Sequence, residues 1–287
     1  MLDSASEIER LAAIAAERGV VQDVLVRVTP DVAGETHAAI STGQADSKFG
    51  FSLDGARAAI RALEDISALR LVGLHAHIGS QLLSVEPFRD AVRALAALGS
   101  FPVYNLGGGL GAAYLATDDP PSVDAYLDTL VDAVHRHLGS DVRLLLEPGR
   151  ALVANAGVTL YTVESVKRNV STWVAVDGGM SDNLRPMLYG ARYEALIADR
   201  AQAAANVRCH LTGKHCESGD VIVRDAMLAD PAVGDVVAVL ATGAYGHAMA
   251  SNYNGALRPP ILFCDAGQAR VVVRRETYAD LMRRDVS

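Results

Sequence analysis

The feature that most limits the fold is an alternation of helical and strand patterns across the first half of the chain, in which each strand stops on polar or glycine residues. Residues 7–18 place Ile8, Leu11, Ile14 and Ala15 on one helical face, and Gly19 is positioned to end that helix. A β-branched run, VLVRV at 24–28, follows. Asp54 is placed to cap a helix through Ile60 and Leu63. Strand patterns at 71–78, 103–106 and 142–146 then alternate with helical patterns at 87–98 and 123–138. Strands that alternate with helices make βα units and a parallel sheet, and such sheets place their chemistry after the C-terminal ends of the strands. Four such units are half of an eight-stranded barrel, which leaves two long strand edges to be covered.

After about residue 154 the pattern changes. Strand-like runs at 158–166, 172–176, 207–211, 220–223, 236–241 and 269–273 are separated by turn signals such as Asp177-Gly178-Gly179 and Val233-Gly234-Asp235. This predicts an antiparallel β-sandwich or barrel domain, closed by a short helix at 277–284. The expected fold class is therefore α/β plus all-β. Residues 1–153 form the last four strands of a (β/α)8 barrel, and residues 154–287 form the β domain.

Composition narrows the partners. The net charge is −8 and there is no run of lysine or arginine, which argues against nucleic acid and anionic membranes. Cys209, Cys216 and Cys264 are odd in number and form no CxxC pair, so neither a disulfide framework nor a zinc site is expected and a cytoplasmic location fits. No apolar stretch is long enough to span a bilayer, and the opening MLDSASEIER does not read as a signal peptide.

Three strand ends carry the chemistry. His75 and His77, in HAHIGSQ (75–81), point to one face of their strand. They suit a metal pair, a flat ring stacking on another ring with Ser80 near a phosphate, or two histidines satisfied at the core edge. No third ligand lies nearby in sequence, so no metal is expected. The run NLGGGLG (105–111) lets the backbone approach an anion, a phosphate above all, and equally suits a tight turn. Glu147, in EPGR (147–150), can hold a protonated ring nitrogen, with Arg150 for a phosphate or carboxylate; a surface ion pair is the plainer alternative. A stacking ring, a phosphate nest and an acid together describe a pyridoxal-phosphate pocket. No GxGxxG opens the chain, so a nicotinamide cofactor is not indicated.

HAHIGSQ, NLGGGLG and EPGRALVANAG resemble motifs of the alanine-racemase-like, fold-type III decarboxylases. VDGGMSDNLRPMLYGARY (176–193), HCESGD (215–220), GAYGHAMASNYNG (243–255), the tail RRETYADLM and the early VRVTPDV, STG and KFGFSL resemble the diaminopimelate decarboxylase family. The resemblance covers essentially the whole chain. It implies pyridoxal-phosphate-dependent decarboxylation of meso-2,6-diaminopimelate to L-lysine and CO2. It also implies an amino-acid substrate and a homodimer with active sites at its interface.

By the same resemblance, His77 stacks on the cofactor ring and Glu147 pairs with its nitrogen. Ser80, Gly107, Gly108, Gly109 and Gly149 surround the phosphate. Arg150, Arg185 and Tyr189 meet substrate carboxylate. Cys216 is the proton donor, Glu217 reads the distal amino group, and Tyr245 touches cofactor and substrate. The Cys216–Glu217 loop serves the partner subunit's site. A diamine-forming decarboxylase would want an acid there and no Arg185.

The chain departs from the family in one respect. The family holds its cofactor through a Schiff-base lysine on an early barrel strand, and nothing here matches that strand. Residues 1–4 read as the tail of a fourth barrel strand. The only lysines are Lys48, Lys167 and Lys214. The expectation is a truncated or mis-started frame, inactive as it stands. The alternatives are a related decarboxylase for another amino acid, or a non-catalytic relative that binds active subunits.

Overall fold

The computed structural model describes residues 1–32 and 48–286. The STG stretch at 41–43 lies outside the described residues. The chain divides into two compact units. One is Met1–Ala112 with Asp119–Ala151, and the other is Ala113–Asp118 with Leu152–Ser287.

The first unit runs α1 (Ala5–Glu17), β1 (Gln22–Val28), α2 (Leu53–Glu64), β2 (Leu69–Ala76), α3 (Glu86–Ala96), β3 (Val103–Asn105), α4 (Val123–His137), β4 (Arg143–Leu145) and the start of α5 (Gly149–Val153). The four strands pair in parallel in the order β1-β2-β3-β4. Leu2 adds a parallel bridge to Val26 beside β1. The helices bury one stripe each. Phe88, Ala91, Val92 and Leu95 of α3, and Tyr126, Thr129, Leu130 and Ala133 of α4, follow the i, i+3, i+4, i+7 spacing. The Phe88 and Tyr126 rings meet edge to face at 4.9 Å. Between β2 and β3 the backbones come so close that a Cβ on Gly73 would fall 1.8 Å from the Val103 carbonyl oxygen.

The cap of α2 differs from expectation. Ser52, not Asp54, accepts the Gly55 N–H, at 3.1 Å. Asp54 lies inside the first turn, where its charge suits the helix dipole and its carboxylate pairs with Arg57.

The second unit holds β5 (Thr159–Arg168), β6 (Thr172–Val176), α6 (Arg185–Tyr189), β7 (Ala195–Ile197), β8 (Val207–Thr212), β9 (Val221–Leu228), β10 (Val236–Val239), β11 (Ile261–Asp265), β12 (Gln268–Val273) and α7 (Tyr278–Leu281). Six strands form one sheet, ordered β7-β10-β5-β6-β8-β9, and β11 pairs with β12 alone. The purely antiparallel expectation is corrected here, because β6 and β8 run parallel. The chain between them makes a long excursion through α6 and β7 before it returns, which is the connection a parallel pair requires. The edge strands β7 and β9 contact one another, so the sheet curls toward closure. A capping box between Thr277 and Asp280 starts α7, and a 3-10 turn at Met282–Arg284 follows it. Among the described residues no helix is long and apolar enough to cross a membrane.

Candidate active site

In the first unit β2, β3 and β4 are neighbours in one parallel sheet, so their C-terminal ends are adjacent. The β2 end carries His75, His77 and Ser80, the β3 end Asn105 and the glycine turn, and the β4 end Glu147, Gly149 and Arg150. Asn105 ties two of these ends together. Its side-chain Nδ2 donates to Glu147 Oε1 at 2.7 Å, while its Oδ1 accepts the Gly107 N–H at 2.9 Å.

The glycine turn is packed too tightly for any side chain. Gly107 has φ +66°, and a Cβ there would lie 2.4 Å from the Ala76 carbonyl oxygen. A Cβ on Gly108 would lie 2.3 Å from the Glu147 carbonyl oxygen. The N–H groups of Gly107 and Gly108 are already bonded, to Asn105 and to His77 Nδ1 respectively. The turn therefore contributes close approach of backbone at these two positions, rather than open donors. Gly149 is different, since a Cβ there would meet nothing within 4 Å. Nearby, Arg150 is buried and donates to Ser80 Oγ at 2.8 Å.

The electrostatics follow from burial. His77 accepts the Gly108 N–H on Nδ1 at 3.1 Å, which leaves the ring proton on Nε2 when the imidazole is neutral. Burial lowers its pKa, with Arg27 adding to the effect and Glu147 opposing it. A neutral, flat ring held by a backbone bond is suited to stacking. Burial drives the His75 pKa down to about 4.

The second unit carries the remaining expected residues. Arg185 and Tyr189 stand at the two ends of α6. Arg185 is buried, bonded to the Tyr193 hydroxyl, with its guanidinium carbon 4.7 Å from the Tyr114 ring centre and 5.5 Å from that of Tyr193. The cation is thus held against two rings that themselves meet edge to face at 5.3 Å. Cys216 and Glu217 are exposed on the turn between β8 and β9, and Glu217 accepts a hydrogen bond from the Tyr253 hydroxyl.

That turn is braced from below by Asp220. One Asp220 carboxylate oxygen accepts the Met180 N–H at 2.7 Å and the other accepts the His215 N–H at 2.9 Å. The His215 ring bonds Ser181 Oγ at 2.9 Å. A Cβ on Gly213 would lie 2.2 Å from Asp220 Oδ2, so glycine is what lets the carboxylate in. Tyr245 has φ +59°, a conformation that bulky residues adopt only when the surroundings impose it.

Residues 1–154 match the family model described as pyridoxal-dependent decarboxylase, pyridoxal binding domain. The chain is 46% identical over 312 residues to diaminopimelate decarboxylase of Mycobacterium tuberculosis strain H37Rv, an alignment covering 100% of this chain and 70% of that protein. It is 42% identical over 309 residues to diaminopimelate decarboxylase of Bacillus subtilis strain 168, covering 100% and 69%. This chain belongs to the diaminopimelate decarboxylase family of pyridoxal-dependent decarboxylases. The structural likeness agrees. Diaminopimelate decarboxylase from Helicobacter pylori, complexed with L-lysine, superposes with a TM-score of 0.90 at 31% identity, covering 98% of this chain and 71% of that one. The M. jannaschii enzyme in co-complex with L-lysine gives 0.89 at 35% identity, covering 100% and 68%. The family is one of pyridoxal-phosphate-dependent carboxy-lyases with an alanine-racemase-like fold.

The residues of the first unit fit that cofactor. The glycine turn packs against the Ala76 and Glu147 carbonyl oxygens and bonds the His77 ring, so His77 and Glu147 are set beside it. A neutral imidazole, a carboxylate and the Ser80–Arg150 pair flank it. Lysine does not enter this group. Lys48 lies over the Phe49 ring at 5.0 Å, and all three lysines are exposed.

Sequence reasoning missed Asn105 and Tyr253 as partners of the acids. Asn105 stood inside the NLGGGLG motif, and its place at a strand end beside the glycines was the available signal. Tyr253 stood inside GAYGHAMASNYNG with no local sign that it faces Glu217, which is 36 residues away.

Proposed function

We propose that this chain serves the pyridoxal-phosphate-dependent decarboxylation of meso-2,6-diaminopimelate to L-lysine and CO2, the last step of lysine synthesis in the cytoplasm. The observation that carries the reading is the grouping of His77, the glycine turn and Glu147 at three adjoining strand ends. When bound, pyridoxal phosphate supplies an electron sink for the pair left behind as CO2 departs.

The chain's own residues take the other tasks. Glu147 holds the ring nitrogen in its protonated form and His77 stacks on the ring. Ser80, Gly109, Gly149 and Arg150 receive the phosphate, Gly107 and Gly108 let backbone come close to it, and Arg150 also faces a substrate carboxylate. Arg185, held against two rings, and Tyr189 take the distal carboxylate. Glu217 takes the distal ammonium. Tyr245 lies against cofactor and substrate. Cys216 returns a proton to the carbon that has lost CO2. Opposite charges at Arg185 and Glu217 suit a substrate with both a distal ammonium and a distal carboxylate, which ornithine and arginine lack. The exposed Cys216–Glu217 turn serves the partner subunit's site in a homodimer.

Turnover needs a lysine joined to the cofactor, and the family resemblance gives that part to none of Lys48, Lys167 and Lys214. The 287 residues alone are then expected to bind pyridoxal phosphate reversibly without producing lysine.

The test compares the chain alone with the chain extended by the family's lysine-bearing region, each offered meso-diaminopimelate, ornithine and arginine. Lysine from the first substrate, only in the extended form and lost in Cys216→Ala, is the expected result. Failure of the chain to bind pyridoxal phosphate, or preference for ornithine, overturns the reading. Sedimentation of the extended form checks the dimer.

A further inference from the structure

His75 is a buried polar group with no task in the reading above. It lies on β2, two residues before His77, and is 2% exposed. Among the described residues, neither of its ring nitrogens has a hydrogen-bond partner. Leaving a buried donor unsatisfied is costly, so a partner within reach matters here.

Its Nε2 lies 4.0 Å from Oε1 of Glu147. That same oxygen already accepts from Asn105 Nδ2 at 2.7 Å. Oε1 is thus already held by Asn105, while the Glu147 side chain as a whole is 47% exposed. A shift of about 1 Å would bring Nε2 within bonding distance of Oε1.

We propose that His75 is a positioning residue for Glu147: its Nε2–H joins Asn105 in gripping Oε1, so that Oε2 is presented to the protonated ring nitrogen of the cofactor. The proposal rests on the reading of Glu147 as the partner of that nitrogen. A neutral donor is the right kind for this place. It fixes the carboxylate without cancelling its charge, whereas a cation there would compete with the ring for the same acid. Burial keeps the imidazole in its neutral form.

The test uses two cofactor analogues that form no bond to lysine: pyridoxine 5′-phosphate, and its carbocyclic counterpart with carbon in place of the ring nitrogen. Binding of each is measured by calorimetry to the wild-type chain and to His75→Phe and His75→Gln. The wild type is expected to prefer the nitrogen-bearing ligand. His75→Phe should lose about tenfold or more in affinity for that ligand and little for the carbocycle, since a hydrogen bond to a charged group is worth about 1.5–3 kcal/mol. His75→Gln, which keeps a neutral donor, should recover most of the loss. A His75→Phe chain that loses both ligands equally, as a misfolded chain would, or that keeps both, overturns the proposal. Equal wild-type affinity for the two analogues would instead bring down the role of Glu147, and the proposal with it.

Discussion

At the β3 end of the first unit, backbone meets backbone so closely that no side chain fits; around Cys216 in the second unit, one buried carboxylate gathers backbone N–H groups from two segments. The first is rigidity by exclusion. The atoms that would move have nowhere to go, and glycine is required because a Cβ would strike a carbonyl. The second is rigidity by satisfaction. Asp220 bonds Met180 and His215, and the turn that carries Cys216 and Glu217 stands on that bracket with those side chains exposed. The first fixes the shape of a strand end. The second gives an exposed thiol a firm base.

The largest expected effect tests exclusion. Gly108→Ala should destabilise the first unit by about 3 kcal/mol in urea unfolding, because the obstacle is a backbone carbonyl rather than the flexible end of a side chain. A cost under about 1 kcal/mol would mean the turn yields, and the contrast would fail. Asp220→Ala tests the bracket. Removing a charged acceptor from two N–H groups should cost about 2–3 kcal/mol and loosen the turn, read as faster hydrogen exchange at Met180 and His215. Unchanged exchange would show that the turn holds itself.

A third effect comes from pH. The pKa of His75 in the folded chain is about 4, below the ordinary histidine value of 6.5. Burial is the main cause; Glu147 opposes the shift, while Arg27, His77 and the chain's amino terminus favour it. Between those values the unfolded chain binds a proton that the folded chain refuses. The stability is complete above pH 6.5 and is lost as pH falls toward 4. From pH 7 to pH 5 the loss should be about 2 kcal/mol, and His75→Phe should remove it. The smallest expected effect is at Gly149, where Ala has open space. Gly149→Ala should change stability by no more than about 0.5 kcal/mol. Weaker pyridoxal phosphate binding at unchanged stability would then point to a ligand contact rather than a packing fault.

The parts of the fold legible in the sequence were those set by local pattern. The stripes on α3 and α4 are written in their apolar spacing, and the polar strand ends at His75–Ser80, Asn105–Gly111 and Glu147–Arg150 are written in composition. What could not be read depends on distant partners. The parallel pairing of β6 with β8 is decided by where the chain returns after β7, a strand of only three residues with no turn signal to announce it. The bond from Asn105 to Glu147 spans 42 residues, and nothing near Asn105 specifies which acid its amide meets. At α2 two good capping residues compete two positions apart, and geometry alone chose Ser52.

Residues 113–118 group with the second unit although the chain on either side of them belongs to the first. The ring over one face of Arg185 is Tyr114, supplied by that six-residue detour. No single cut can therefore part the two units cleanly. A polypeptide stopped after residue 151 takes Tyr114 with it, and one begun at 152 leaves the guanidinium without that cover. Any exchange of modules between this chain and a relative would have to carry two separate stretches of gene, not one.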